Sequence, residues 1–279
     1  MTDSVAPKIV EVPTPTQTKK ENGPDQTANV LCHFSKKLEY LVDTLKHQAF
    51  IPRYNNEIID YLNIEELKEV SFPMTCFCDI KFTKLKSHVH FYGNYGIALR
   101  KEWGLSNNIQ PIQYINPCSQ LMKDFSFAMN YALSSTDEDN MDKLIEPVYK
   151  NYLLDHLLFM KPLRGTMIVD NETIDKNFHD ENEWRYVPKI DNSTTHLPLL
   201  IPTDLINKVP AINAYSDGIR KSKKLWLEFH DNDIKYIFVK NIEDRDKLIK
   251  HISQRNNESI KNQILISKIL VYEELMEDW

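Results

Sequence analysis

Large apolar residues are almost missing from Met1 to about Ala28 and recur in short blocks from there to Trp279. The first stretch is rich in Thr, Pro, Gln and Lys. It cannot recover its ordering entropy by burial, so residues 1–28 are predicted to form a disordered tail. Residues 29–279 read as a single domain. Asn29–Phe34 (NVLCHF) has the composition of a strand, and Leu38, Leu41, Val42 and Leu45 then recur at helical spacing behind Ser35, a suitable cap. A polar connection is expected around Arg53–Asn56, a short helical pattern near Ile58–Leu67, and an alternating strand at Phe72–Ile80. Thr83–Tyr92 reads as a helix with Thr83 as N-cap and Gly93 just past its end. Strands are predicted at Tyr95–Arg100 and Pro111–Ile115, with a turn at Lys101–Gly104 between them. Helices follow near Ser119–Leu133 and Met141–Phe159, where Leu144, Val148, Tyr152 and Leu157 are placed to pack on a sheet.

The pattern then changes character. Gly165–Val169 reads as a strand, and Asp191 to about Lys224 is weakly patterned, a lid or a long surface crossing. Leu225–Phe229, Ile234–Val239 and Ile264–Val271 read as strands, with a helix from Ile242 to His251 and a short one at the C-terminus. Strands and helices do not alternate regularly. The expected fold is therefore α+β, with a mixed or antiparallel sheet and packed helices.

One stretch stands apart, Phe178–Pro188, FHDENEWRYVP. In an extended strand side chains alternate faces, so Glu181, Glu183 and Arg185 share one side and Asn182, Trp184 and Tyr186 the other. The aromatic face is expected to bury. The charged face fits a solvated edge, a functional site, or an internal Glu–Arg pair.

Composition narrows the classes. With 279 residues and 42% hydrophobic content the chain can bury a large core, and a net charge of −6 with interspersed signs supplies no global basic field for nucleic acid. Arg220–Lys224 (RKSKK) is a local basic run of the kind usually found in solvated loops. The four cysteines show no C-x-x-C pair and fit reduced thiols in a cytosol. No stretch has the length of a membrane span and no signal segment opens the chain, so a cytoplasmic protein is expected. Cys76 and Cys78 precede His88 and His90, but C-x-C on a strand and H-x-H on a helix seldom converge on one zinc, and no metal is expected. Glycine-rich phosphate loops are missing. His33 sits at a strand-to-helix junction, either facing a cleft or satisfied in the core. Tyr92 and Tyr95 flank a glycine at a helix-to-strand corner, where core packing is the simpler account.

Several stretches together resemble one family. HFSKKLEYLVDTL, FPMTCFCDI, YGNYGIALRKEWGL, FHDENEWRYVP and the DIKYIFV…ISKIL ending are similar to the AbiGi family of bacterial abortive-infection phage-resistance proteins, of the antitoxin kind. The resemblance covers roughly Leu31 to Trp279. It implies anti-phage defence with a cognate toxin of nucleotidyltransferase type as partner, and supplies no catalytic residues or cofactor. A more remote resemblance is to the His–Tyr–Glu pattern of ADP-ribosyltransferases. In that pattern His33 and Ser35 hold the ribose and carboxamide of NAD, Tyr92 or Tyr95 stacks on nicotinamide, and Glu183 binds the ribose 2′-hydroxyl and stabilises an oxocarbenium-like transition state. The helical insertion at Ser119–Phe159 departs from it. A restraining antitoxin is the leading reading and an NAD-binding transferase, or its degenerate relative, the runner-up. A third class, a DNA-binding autoregulator, fits the antitoxin label but finds no basic helix-turn-helix in this acidic chain, so a nucleic-acid partner is not expected.

Overall fold

The computed structural model describes residues 27–65, 67–134, 145–169, 172–190, 195–203, 208–255 and 259–277. The predicted tail lies outside the described residues as far as residue 26. Ala28 is already buried, and its N–H donates to Asp79 Oδ1 at 2.7 Å.

The long strand Glu69–Cys78 is the centre of the architecture. Val70, Phe72, Met74, Cys76 and Cys78 alternate onto one face, and Thr75 and Phe77 onto the other. Strands flank it on both edges: Cys78 pairs with both Cys32 and Glu183, and Ser71 with both Asn56 and Ile201. The main path of the sheet runs Ile269–Val271, Ile234–Val239, Tyr95–Arg100, Val30–Ser35, Glu69–Cys78, Glu183–Tyr186 and Gln110–Pro111, with Arg53–Ile58 and Ile201–Pro202 also on the long strand. Among the described residues only the Ile234–Val239 and Ile269–Val271 pair is parallel within this sheet. The fold is thus α+β with a mixed sheet, as the irregular succession of elements implies.

One face of the sheet, carrying Leu31, Phe77, Ile97 and Leu99, buries the helices Leu38–His47, Lys101–Ser106 and Ile242–Ser253 through Leu41, Leu45, Trp103, Leu248 and Ile252. The opposite face is split. At one end Cys32, Cys78 and Phe238 pack on Leu85 and Val89 of the helix Leu85–Tyr92. At the other, Val70, Phe72 and Met74 pack on the helices Gln120–Ser134 and Ile145–Leu158. Between the two apolar clusters the long strand presents Cys76, and there the charged side chains collect.

Several local expectations are corrected. Ser35 ends its strand rather than capping a helix; Lys37 stands at that N-cap without a side-chain bond. Phe82–Lys84 is a 3-10 turn, so Lys84, not Thr83, precedes the α-helix, while Gly93 ends it at φ +109°. Arg53–Ile58 is a strand with Tyr54 buried, not a polar connection. Lys101–Ser106 is helical, and the weakly patterned region contains the helix Lys208–Lys221, while residues 191–194 and 204–207 lie outside the described set. Ser259–Ile266 is a helix, and the last strand begins only at Ile269. Val148 and Tyr152 point to solvent, Leu157 is buried, and Leu144 is outside the described residues.

Candidate functional site

The charged face of Phe178–Pro188 turns inward. Glu181, Glu183 and Arg185 are buried, Arg185 completely, and Trp184 and Tyr186 are only partly covered. Of the three readings left open for the charged face the internal Glu–Arg pair is the one found, while the full burial expected of Trp184 and Tyr186 is not. Phe178–Glu181 is a 3-10 turn, and Asn182 at φ +40° hands the chain on to the strand Glu183–Tyr186. Register against the long strand places Arg185 opposite Cys76 and Glu183 opposite Cys78, on the face between the apolar clusters.

A charge can occupy this position because its partners arrive from other segments. Arg185 donates from Nε to Glu183 Oε1 at 3.0 Å, from Nη2 to Glu57 Oε1 at 3.0 Å and from Nη1 to the Leu158 carbonyl at 2.7 Å. Lys161, on the short strand Met160–Pro162, reaches Glu183 Oε2 at 2.8 Å, Glu181 Oε2 at 3.6 Å and Glu57 Oε1 at 3.9 Å. Lys176 and the Tyr92 hydroxyl both bond Glu181 Oε1, and Lys176 Nζ donates to the Tyr92 oxygen at 2.9 Å. The Glu183 N–H donates to the Tyr114 hydroxyl at 2.9 Å. Glu57, Glu181 and Glu183 are thereby matched by Lys161, Lys176 and Arg185, and the cluster is electrically neutral.

Burial opposes the charges on Glu183, Lys161 and Arg185, and the pairing outweighs it. Desolvation pushes the Glu183 carboxyl up, but Arg185 and Lys161 together hold it well below the usual carboxylate range. Desolvation likewise disfavours the Lys161 ammonium and the Arg185 guanidinium, and the surrounding carboxylates raise both above their ordinary values. Burial, reinforced by Glu183, raises the Cys76 thiol and keeps it protonated. With Oε1 on Arg185 and Oε2 on Lys161, Glu183 is a fixed anion whose two oxygens are engaged.

Above this cluster opens a cavity of about 980 Å³. It lies where the sheet parts: Val30–Ser35 meets the long strand at Cys78, Arg53–Ile58 meets it from Met74, and both line the opening. In the gap the Cys76 carbonyl is bonded at 2.8 Å by His33 Nδ1. Burial lowers the His33 pKa, so the ring is neutral, Nδ1 carries the proton and Nε2 is left as an acceptor. Thr75 also lines the cavity, and its buried Oγ1 has no bonding partner among the described residues.

The structure brings some of the predicted residues together and separates others. His33, Ser35 and Tyr92 line this one cavity, and Lys161 forms part of its wall. Glu183 is not in the lining; it lies behind Lys161. Tyr95 is elsewhere, its hydroxyl donating to Asp244 Oδ2 at 2.6 Å on the helix Ile242–Ser253. Glu57, Lys161, Lys176 and Thr75 escaped the sequence reading. For Lys161 a signal existed: a lone lysine within the apolar run Leu157–Leu163 is costly to bury without a partner.

A family model described as "Putative abortive phage resistance protein AbiGi, antitoxin" matches residues 48–240, a span holding every member of the charged cluster. A curated protein of Lactococcus lactis subsp. cremoris, "Abortive phage resistance protein AbiGi", is 39% identical over 251 residues, covering 83% of this chain and 100% of that protein. The chain belongs to the AbiGi family. No solved structure matches it.

Proposed function

We propose that this chain is an abortive phage resistance protein acting as the antitoxin, a binding protein that restrains a cognate toxin. The observation that carries the reading is the family match over residues 48–240, reinforced by the relative aligned along its whole length. The geometry agrees in kind. The most reactive-looking acid, Glu183, is committed to two buried cations, which suits a rigid scaffold. The partner fitting the family resemblance is a toxin of nucleotidyltransferase type, met in the cytoplasm. Among the described residues no helix is long and apolar enough to cross a membrane. Expressing the neighbouring toxin gene with and without this chain tests the reading. Relief of growth arrest and co-purification of the two proteins are expected; arrest that persists at matched expression overturns it.

One observation favours a second reading. Tyr92, far in sequence from His33 and Ser35, lines the same cavity as they do, and NAD is the ligand that pattern suits. With Glu183 engaged, the version supported is a degenerate transferase relative that binds the nucleotide. Calorimetric titration with NAD, on wild type and His33→Ala, checks it. Heat lost in the variant is expected, and no heat from the wild type removes the reading.

A further inference from the structure

On a different side of the helix Leu85–Tyr92 the chain forms an open groove of about 1050 Å³. The helix buries Leu85 and Val89 against the sheet, which turns Lys86, Ser87 and His90 outward. Lys81 and Lys84 extend the same wall from the preceding turn, and His179 faces them from the Phe178–Glu181 turn. Against these basic groups the lining holds one carboxylate, Asp180. Lys84 and Lys86 are exposed and make no ion pair among the described residues. Phe91 and Tyr272, both partly exposed, add ring surface beside the lysines. A net charge of −6 describes the far field; it does not set the potential inside a groove lined in this way.

We infer that this groove binds single-stranded nucleic acid, the lysines following the phosphates and the rings receiving bases. A positive channel with stacking surfaces is the arrangement such ligands require. An acidic protein segment fits less well, because carboxylates are best gripped by the planar arginine fork and the lining has lysine and histidine only. Hydroxyl and amide groups from Thr83, Ser87 and Asn182 complete a surface suited to sugar and base edges.

The test is fluorescence anisotropy with the full chain and a labelled uridine oligomer of about twelve nucleotides, beside its thymidine DNA counterpart. If three phosphates are neutralised, affinity falls roughly 20-fold between about 50 and 200 mM salt. Lys84→Glu with Lys86→Glu, both exposed, weakens binding about tenfold or more with the circular dichroism spectrum unchanged. Lys223→Glu with Lys224→Glu, in the other basic run, leaves binding as it was. Preference between the RNA and DNA arms then identifies the sugar. The inference is overturned by no binding at the lower salt, by binding that survives the groove reversal, or by equal displacement with poly-glutamate.

Discussion

Glu183 and Arg185 stand two residues apart on one strand, and Arg185 Nε meets Glu183 Oε1 at 3.0 Å where solvent does not reach. Removing one partner leaves the other charge buried and uncompensated. Glu183→Gln is expected to cost about 3–5 kcal/mol of stability. Adding Arg185→Met restores charge balance, leaving Glu57 and Glu181 opposite Lys161 and Lys176, so the double variant should lose less than the two single losses combined. Urea unfolding of all four proteins measures this coupling. Strict additivity would show that the side chains act independently.

Trp184 behaves differently from its neighbours because it is only partly covered, with Lys101 Nζ 5.2 Å from its ring. Trp184→Ala should cost about 1–2 kcal/mol, near the middle of ordinary substitutions. Phe77→Ala, which empties a site packed by Phe50 and Trp103, should cost about 3–5 kcal/mol. Equal losses in denaturant midpoint would mean that the tryptophan is the true core residue.

Acid should weaken the fold in two stages. Burial lowers the His88 pKa to about 4 from its ordinary 6.5, so the unfolded state binds the proton more readily. Its contribution is complete above 6.5 and is lost as pH falls toward 4, amounting to up to about 3 kcal/mol. His88→Phe should flatten the stability profile across that interval. Glu183 acts at lower pH: its depressed carboxyl contributes fully above its ordinary 4.5 and progressively less below it. Thermal melts from pH 7 to pH 3 resolve the stages, and an unaltered slope in His88→Phe would assign the upper one elsewhere.

Gly93 has φ +109°, and a Cβ there would lie 2.1 Å from the Ser35 carbonyl oxygen. Gly93→Ala should therefore destabilise by more than about 1 kcal/mol. The same strain bears on Ser35 and Tyr92 in the cavity lining. A melting temperature equal to wild type would show that the corner can reshape freely.

Much of the sheet was legible because its strands carry their own alternation. Tyr95–Arg100 and Ile234–Val239 coincide with their apolar patterns, as does the start of the Ile242–Ser253 helix. Arg53–Ile58 was not legible, since five of its six residues are polar or exposed and only Tyr54 reports burial. The inward turn of Glu183 and Arg185 was legible only as one of three open readings. Alternation states which residues share a face; which face is inside depends on Lys161 and Glu57, whose approach is a tertiary event. The groove beside the helix Leu85–Tyr92 is hidden for a related reason, as its two walls lie nearly a hundred positions apart.

The long strand Glu69–Cys78 depends on partners from both directions in the chain, Ile201–Pro202 being the last of them. On a ribosome adding roughly 5–20 residues per second, that partner emerges on the order of ten seconds after Cys78. Thr75–Cys78 waits for Glu183–Tyr186 and Val70–Ser71 for Ile201–Pro202, and until each is made that part of the strand is held only by its earlier neighbours. Translation speed and chaperone supply should therefore govern how much soluble protein a cell accumulates, more than they would for a chain whose central strand is completed by adjacent segments.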